Sequence, residues 1–323
     1  MTKDEFNRMW NSWDINQRID WLKFTHQEGQ TDKVVRDYVK QQYGSMAAYL
    51  DNKEVGPILM RAGREGWTPE RLAATIQNTK WWKTHAASER EWELLKKTDK
   101  ATAKQKIDQA KASINALLAR EGVTGQLSDS RISALAEKIL KSGADPSMVP
   151  KMVLAEIRYN PTHPVGLMGE RMATFQKRAR DYAINLGDET AFDWAKRVAM
   201  GDAEEGGFDE YARQAAERRF SRNATILEQL KEGYTVREVL DDPIQEVARL
   251  MEVDPDSVDL SRTEWSPIAE FADDQGNVRA MTAAEAGRWA RTQTGWQTTA
   301  NANDTESKFA QFLGEKMGKV AAA

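Results

Sequence analysis

Cysteine is absent from the 323 residues, and histidine occurs only three times. The first absence excludes a disulfide framework, a thiolate nucleophile and any cysteine-ligated zinc. The second leaves little for a metal centre: His26, His85 and His163 stand far apart, and no His-Glu-x-x-His pair exists to share one helix face. Each histidine is therefore read as an ordinary surface or capping residue. Glycine-rich phosphate loops are missing as well, in both the Gly-x-Gly-x-x-Gly and the Gly-x-x-x-x-Gly-Lys-Ser/Thr forms, and so is the Gly-x-Ser-x-Gly nucleophile elbow. No catalytic residue, no cofactor-binding residue and no metal ligand is assigned, and the expectation is a protein without enzymatic activity or cofactor. A surplus of positive charge is lacking too. Lysine and arginine number 46 against 50 aspartates and glutamates, a net charge of −4, which gives no case for wrapping nucleic acid through a basic face. No apolar run approaches the roughly 18 residues of a membrane span. The start, Met1-Thr2-Lys3-Asp4-Glu5, is charged and carries no signal-like apolar core, so assembly in a reducing cytosol is expected.

What is present is helical pattern and tryptophan, 11 of them. Indoles bury large rigid surfaces and concentrate in cores and interfaces. Phe6, Met9, Trp10 and Trp13 recur at helical spacing, and Ile19, Leu22 and, off the stripe, Phe24 follow. Phe6, Trp10, Trp13 and Trp21 are candidates for a docking arm toward a partner or a membrane interface; the alternative is a short helix packed on its own domain. Helices are expected near 31–51 and 54–65. Gly66 then stops a helix and Thr68-Pro69 starts the next, a tight corner with Trp67 at the elbow. From 86 to 120 the chain is rich in Ala, Glu, Lys and Gln and free of Gly and Pro, which predicts one long helix. Its apolar seam, Ala103, Ile107, Ala110, Ile114 and Leu117, suits either self-association or packing on neighbours.

Gly122–Gly125 breaks this run, and prolines 150, 161 and 164 make 143–165 a jointed linker. The predicted organisation is an N-terminal helical domain over 1–142, the linker over 143–165 and a C-terminal helical domain over 166–323. Helices are expected near 166–186, 188–200, 208–220, 222–232, 282–293 and 301–319. The span 254–281 is the least helical, and a tight turn at Asp273-Asp274-Gln275-Gly276-Asn277 suggests a small β-hairpin near 268–281. The fold class is all-α, an elongated multi-helix assembly. Two elements recur: Gly66-Trp67-Thr68 with Gly233-Tyr234-Thr235, and Trp82-Lys83-Thr84-His85-Ala86 with Trp296-Gln297-Thr298-Thr299-Ala300. They suggest a shared device in which Thr84 or Thr298 caps a helix while the preceding Trp anchors the turn. These aromatic joints are read as glue for an assembly, with no pocket among them.

Two stretches resemble a specific architecture. One runs from Tyr43-Gly44 to Trp92 and centres on Gly66-Trp67 and Asn78-Thr79-Lys80-Trp81-Trp82-Lys83-Thr84. The other runs from Ile226 to Val320, with Gly233-Tyr234, Asp242-Pro243, Trp289-Ala290-Arg291 and Gly295-Trp296-Gln297-Thr298. Both are similar to virion-associated minor structural, tail, tape-measure-like or internal proteins of tailed phages infecting actinobacteria. The resemblance implies a structural component of the tail or portal interior, assembled in the host cytoplasm and localised to the virion. Its partners would be portal, tail or internal proteins and further copies of itself, with membrane or DNA contact on genome ejection. Gly66, Trp67, Thr79, Trp81, Trp82, Thr84, Trp92, Gly233, Tyr234, Pro243, Trp289, Trp296 and Thr298 form the expected joint and assembly signature. The extra cell-wall-hydrolase domains of longer relatives are not found. A peptidoglycan-degrading entry factor and a membrane-active ejected protein are the alternatives, and a helical adaptor with no virion role is compatible with composition alone.

Overall fold

Side-chain caps decide where many of the helices begin. In the computed structural model, which describes residues 1–162, 165–273 and 275–321, the Thr2, Thr235 and Thr282 hydroxyls each accept the amide of a glutamate three residues on, and that glutamate reaches back to the cap amide. Each reciprocal pair satisfies two donors that a helix start otherwise leaves bare. Among the described residues the chain is all-α apart from one small hairpin. It divides into two units, residues 1–118 with 125–156, and residues 119–124 with 157–323. His163 and Pro164, expected in the linker, Asp274, expected in the hairpin turn, and the last two alanines lie outside the described residues.

The first unit contains α1 (Lys3–Ser12), α2 (Ile15–Phe24), α3 (Thr31–Tyr43), α4 (Val55–Glu65), α5 (Pro69–Gln77), α6 (Lys80–Thr84), α7 (Ala87–Thr98), most of α8 (Lys100–Glu121), α9 (Asp129–Ser142) and α10 (Val149–Leu154). Helices α2 to α5 close around Val35, Val39, Val55, Leu59, Leu72 and Ile76, with Tyr49, Trp67 and Trp81 completing the cluster. The single long helix expected over 86–120 is instead two. Asp99 leaves helical geometry at φ −141°, and its carboxylate accepts the Thr102 amide at 2.9 Å and the Thr102 hydroxyl at 2.6 Å. Aspartate competes for local backbone donors in this way, so a composition favourable to helix is overridden by one residue. The seam on α8 is covered by the chain itself: Ala103, Ile114 and Leu117 are buried, and Ile107 and Ala110 are half-buried. The helix expected to reach residue 51 ends at Tyr43, and a 3-10 stretch, Gly44–Tyr49, follows.

The second unit contains α11 (Gly166–Asp181), α12 (Asp188–Ala199), α13 (Gly206–Arg219), α14 (Ala224–Glu232), α15 (Val236–Val239), α16 (Asp241–Met251), α17 (Ala283–Ala290) and α18 (Ala300–Ala321). Helices α11, α12 and α13 share an aromatic core. Phe175 lies 4.7 Å from Phe208, and Trp194 meets Phe208 edge-on at 5.4 Å. The hairpin is β1 (Phe271–Ala272) with β2 (Val278–Arg279), antiparallel, Phe271 opposite Arg279. Its turn is held by Asp273, whose carboxylate accepts the amides of Gln275 and Asn277. Arg279 lies 5.0 Å from the Phe271 ring centroid across the pair, which supplies the cross-strand contact so short a ribbon needs. Buried Asn223 caps α14 through the Ile226 amide and donates to the Ala269 carbonyl at 2.9 Å, tying the helix to the segment before the hairpin.

Candidate functional site

The corner after α4 is built as its sequence suggests. Gly66 adopts the left-handed conformation, Thr68 caps α5, and Trp67 is buried between them. The indole N–H of Trp67 donates to Glu65 at 2.8 Å, and the Arg71 guanidinium lies 4.1 Å from its ring centroid. Hydrogen bonds from Arg61 and then from Trp67 hold the Glu65 carboxyl below the usual range. The Tyr43 hydroxyl donates to the Trp67 and Ala62 carbonyls, locking α3 to the elbow.

The Trp-Trp element forms a second joint. Thr79 caps α6 by accepting the Trp82 amide, and Glu54 accepts the Trp81 amide at 2.8 Å, so two of the bare donors at this helix start are satisfied. Trp81 is buried against Tyr49, with ring centroids 5.0 Å apart. Trp82 is half-buried under the Arg90 guanidinium, 3.8 Å from the ring centroid. Arg90 also donates to the Trp82 and His85 carbonyls, and the Tyr49 hydroxyl donates to the Arg90 carbonyl at 2.6 Å. Burial, reinforced by Glu93 and opposed by Arg90, pushes the Tyr49 phenol up to about 12. Trp92 is buried on α7. Thr84 does not act as expected. Its hydroxyl donates back to the Lys80 and Trp81 carbonyls within its own helix, and α7 starts after Ala86, an N-cap with no side-chain hydrogen bond to offer. The intrahelical carbonyls lie nearer to a hydroxyl on the last turn than the next helix's amides do.

An apolar groove of about 460 Å³ opens beside Trp82, contrary to the expectation that these joints hide no pocket. Leu72, Ile76, Tyr43 and Met46 line it, and no carboxylate or cation is among its lining residues. The chemistry favours an apolar side chain as occupant over a sugar or a phosphate.

Sequence reasoning missed a neighbouring cluster. His85 and the α7 glutamates Glu89 and Glu93 bring one nitrogen and two carboxylate oxygens within 4.8 Å of one another. His85 Nδ1 faces the Trp81 carbonyl at 2.8 Å, and Nε2 is 3.8 Å from Glu89. Lys141 of α9 places its ammonium 2.6 Å from the same Glu89 oxygen, and this hydrogen bond keeps the Glu89 carboxyl below its ordinary value. The signal in the sequence is the repeated four-residue spacing His85, Glu89, Glu93, which a motif built on two histidines does not cover.

The second group of expected residues lies in the other unit. Gly233 ends α14 with φ 98°, and Thr235 caps α15, as at the first corner. The likeness stops there, because Tyr234 is 49 % exposed where Trp67 is buried. Pro243 is buried in the first turn of α16, the helix that packs on α17. Trp289 meets Trp265 edge-on at 6.1 Å. Trp296 is half-buried on a 3-10 turn. The Thr298 hydroxyl donates back to Gly295, and the cap of α18 falls to Thr299, which accepts the Ala302 amide, while Glu252 accepts the amides of Ala300 and Asn301.

The aromatic arm folds on itself. Helix α1 buries no residue, yet Phe6, Trp10, Trp13 and Trp21 are half-buried in a mutual cluster, with Phe6 5.2 Å and Trp10 5.5 Å from Trp21. Arg18 is buried beneath it, 5.7 Å from the Trp10 and Tyr38 centroids, and donates to the Trp13 and Asn11 carbonyls. Phe24 projects away with 83 % of its surface exposed. No known protein family, curated protein or solved structure matches this chain.

Proposed function

We propose that this chain is a non-enzymatic helical protein that acts through protein–protein assembly, as a component of the tail or portal interior of a tailed phage virion. The observation that carries the assembly reading is α18. Residues 303 to 313 on it are exposed, yet Phe309 and Leu313, four positions apart, share one face with 61 % and 40 % of their surfaces in water. An amphipathic helix gains most of its stability from packing that face, so such a stripe fits a helix built to lie on a partner. The virion setting rests on the Trp-Trp and Gly-Trp motifs of the first half and the Trp-rich motifs of the second. Homo-oligomers and contacts with portal, tail or internal proteins follow from the same reading, as does an enzyme-free role.

Two measurements check it. Mass spectrometry of purified particles is expected to find the protein, and its absence from virions removes the setting. Light scattering is expected to show a multimer that Phe309→Asp with Leu313→Asp reduces by at least one step. A multimer unchanged by both substitutions removes α18 as the docking element.

Phe24 favours a second reading, in which the α1–α2 hairpin touches a membrane interface after ejection. No described helix is long and apolar enough to cross a bilayer. Aromatic residues beside cations suit the headgroup layer instead. Flotation with anionic liposomes is expected to carry the protein upward and to fail for Phe24→Ser; equal flotation of the two proteins removes this reading.

A further inference from the structure

The cluster beside the Trp-Trp joint has the composition of a metal site. Glu89 and Glu93 stand one turn apart on α7, so their carboxylates share a face. His85 sits just before that helix, and its imidazole is fixed from two sides. The Trp81 ring lies 5.0 Å from it, and the Trp81 backbone carbonyl is 2.8 Å from Nδ1. A carbonyl only accepts, so in the neutral ring Nδ1 carries the proton and Nε2 keeps a lone pair facing Glu89. A histidine oriented through its far nitrogen is the usual support of a metal-binding imidazole. This support comes from the backbone of α6, outside the cluster. The cluster also draws positive charge: the Lys141 ammonium, arriving from α9, is seated on Glu89 at 2.6 Å.

We propose that His85 Nε2, Glu89 and Glu93 bind one Zn2+ ion, and that Lys141 is the cation it displaces. Three protein ligands with a nitrogen and two oxygens leave one position of a tetrahedral ion open to water. Ligand atoms around such an ion stand about 3.3 Å apart. The spread of up to 4.8 Å here therefore needs a contraction that glutamate rotamers supply without moving α7. Eviction of Lys141 is part of the binding step, because its ammonium occupies the Glu89 oxygen the ion requires. The bound ion would tie the end of α6 to the first two turns of α7, and so stiffen the joint that carries Trp81 and Trp82. Imidazole with carboxylate suits zinc better than magnesium or calcium, which prefer all-oxygen shells. The site stands on its own geometry, whether or not the chain enters a virion.

Calorimetric titration of the full chain with Zn2+ tests this, with Co2+ as a second probe whose visible absorption reports a tetrahedral site. The expected result is one ion per chain, with His85→Ala and Glu93→Gln each weakening binding by roughly 100-fold, of the order seen when metal-site groups are lost. Lys141→Met is expected to tighten binding by about tenfold, since the ion then displaces no cation. That gain is one a merely structural lysine would not produce. Circular dichroism confirms folding of each variant, and Glu93→Gln decides the outcome should loss of the His85 ring disturb Trp81. No binding by the wild-type chain overturns the proposal, as does binding that is indifferent to both ligand substitutions. Unchanged affinity in Lys141→Met overturns the displacement.

Discussion

Gly122→Ala is expected to be among the most damaging single substitutions in the second unit. A Cβ at this position would stand 1.6 Å from the Val165 carbonyl oxygen and 2.2 Å from its carbon. Both are backbone atoms, so no rotamer change relieves the clash. The Val165 amide also donates to the Gly122 carbonyl at 3.2 Å, and separating the two strands of chain breaks that bond. The crossing is tight from the other side as well, because Gly166 lies 3.3 Å from the Gly122 Cα when its own Cβ is built. Gly122 has φ +76°, which by itself costs a side-chain-bearing residue about 1–2 kcal/mol. Strain, clash and the lost hydrogen bond together point to about 4 kcal/mol, at the severe end for single substitutions. For a unit of this size that is a fall in melting temperature of roughly 8–16 °C. Gly201→Ala separates the contributions, because Gly201 has φ +73° with nothing within 4 Å of its Cβ. It is expected to lose only about 1–2 kcal/mol. Equal losses in the two variants, read by differential scanning calorimetry, would reduce the effect at Gly122 to backbone strain and remove the close approach from the account.

What could be read from the sequence was local. Helix starts at Thr68 and Thr235 were legible because cap, amide and carbonyl fall within three residues of one another, and propensity acts at that range. The hairpin was legible for the same reason, with Asp273 and Gly276 closing a turn between two short apolar runs. The roles of Thr84 and Thr298 were misassigned, since a hydroxyl on a final turn has carbonyls of its own turn within reach; the cap of α18 falls one residue on, to Thr299, and α7 has no side-chain cap. Asp99 escaped notice because a residue of middling propensity breaks a helix only when its side chain takes a neighbouring donor. At the candidate site the motif residues Thr79, Trp81 and Trp82 were visible. Tyr49 and Glu54, which help to hold them, were not, because their contacts join distant parts of the first unit. The grouping of residues 119–124 with the second unit was hidden in the same way, since those six residues are helix end and loop by composition and owe their place to partners some 50 positions on.

Those partners set the other large effect. Glu121 is only 1 % exposed, and one carboxylate oxygen lies 2.5 Å from Arg171 on α11 while the other accepts from Arg120 at 3.0 Å. Desolvating such a carboxylate is costly, and the attraction of two guanidinium groups offsets that cost. Glu121→Ala removes the offset and leaves the Arg171 side chain, 25 % exposed, with its charge uncompensated. Breaking a buried pair from one side typically costs 3–5 kcal/mol. The partial exposure of Arg171 and the freedom of Arg120, 60 % exposed, place the expectation at the lower end, about 3 kcal/mol and a melting temperature roughly 6–12 °C lower. Glu121→Gln keeps an acceptor and loses the charge, so it falls between alanine and wild type. The combined Glu121→Met and Arg171→Met variant is expected to regain most of the loss, because two apolar side chains of similar volume need no charge balance. A double-mutant cycle by thermal denaturation reads the coupling directly. Additive losses would mean that Glu121 acts through packing alone. A strong positive coupling would make this ion pair the electrostatic latch that holds the end of α8 against α11, next to the Gly122 crossing that only a residue without a side chain can occupy.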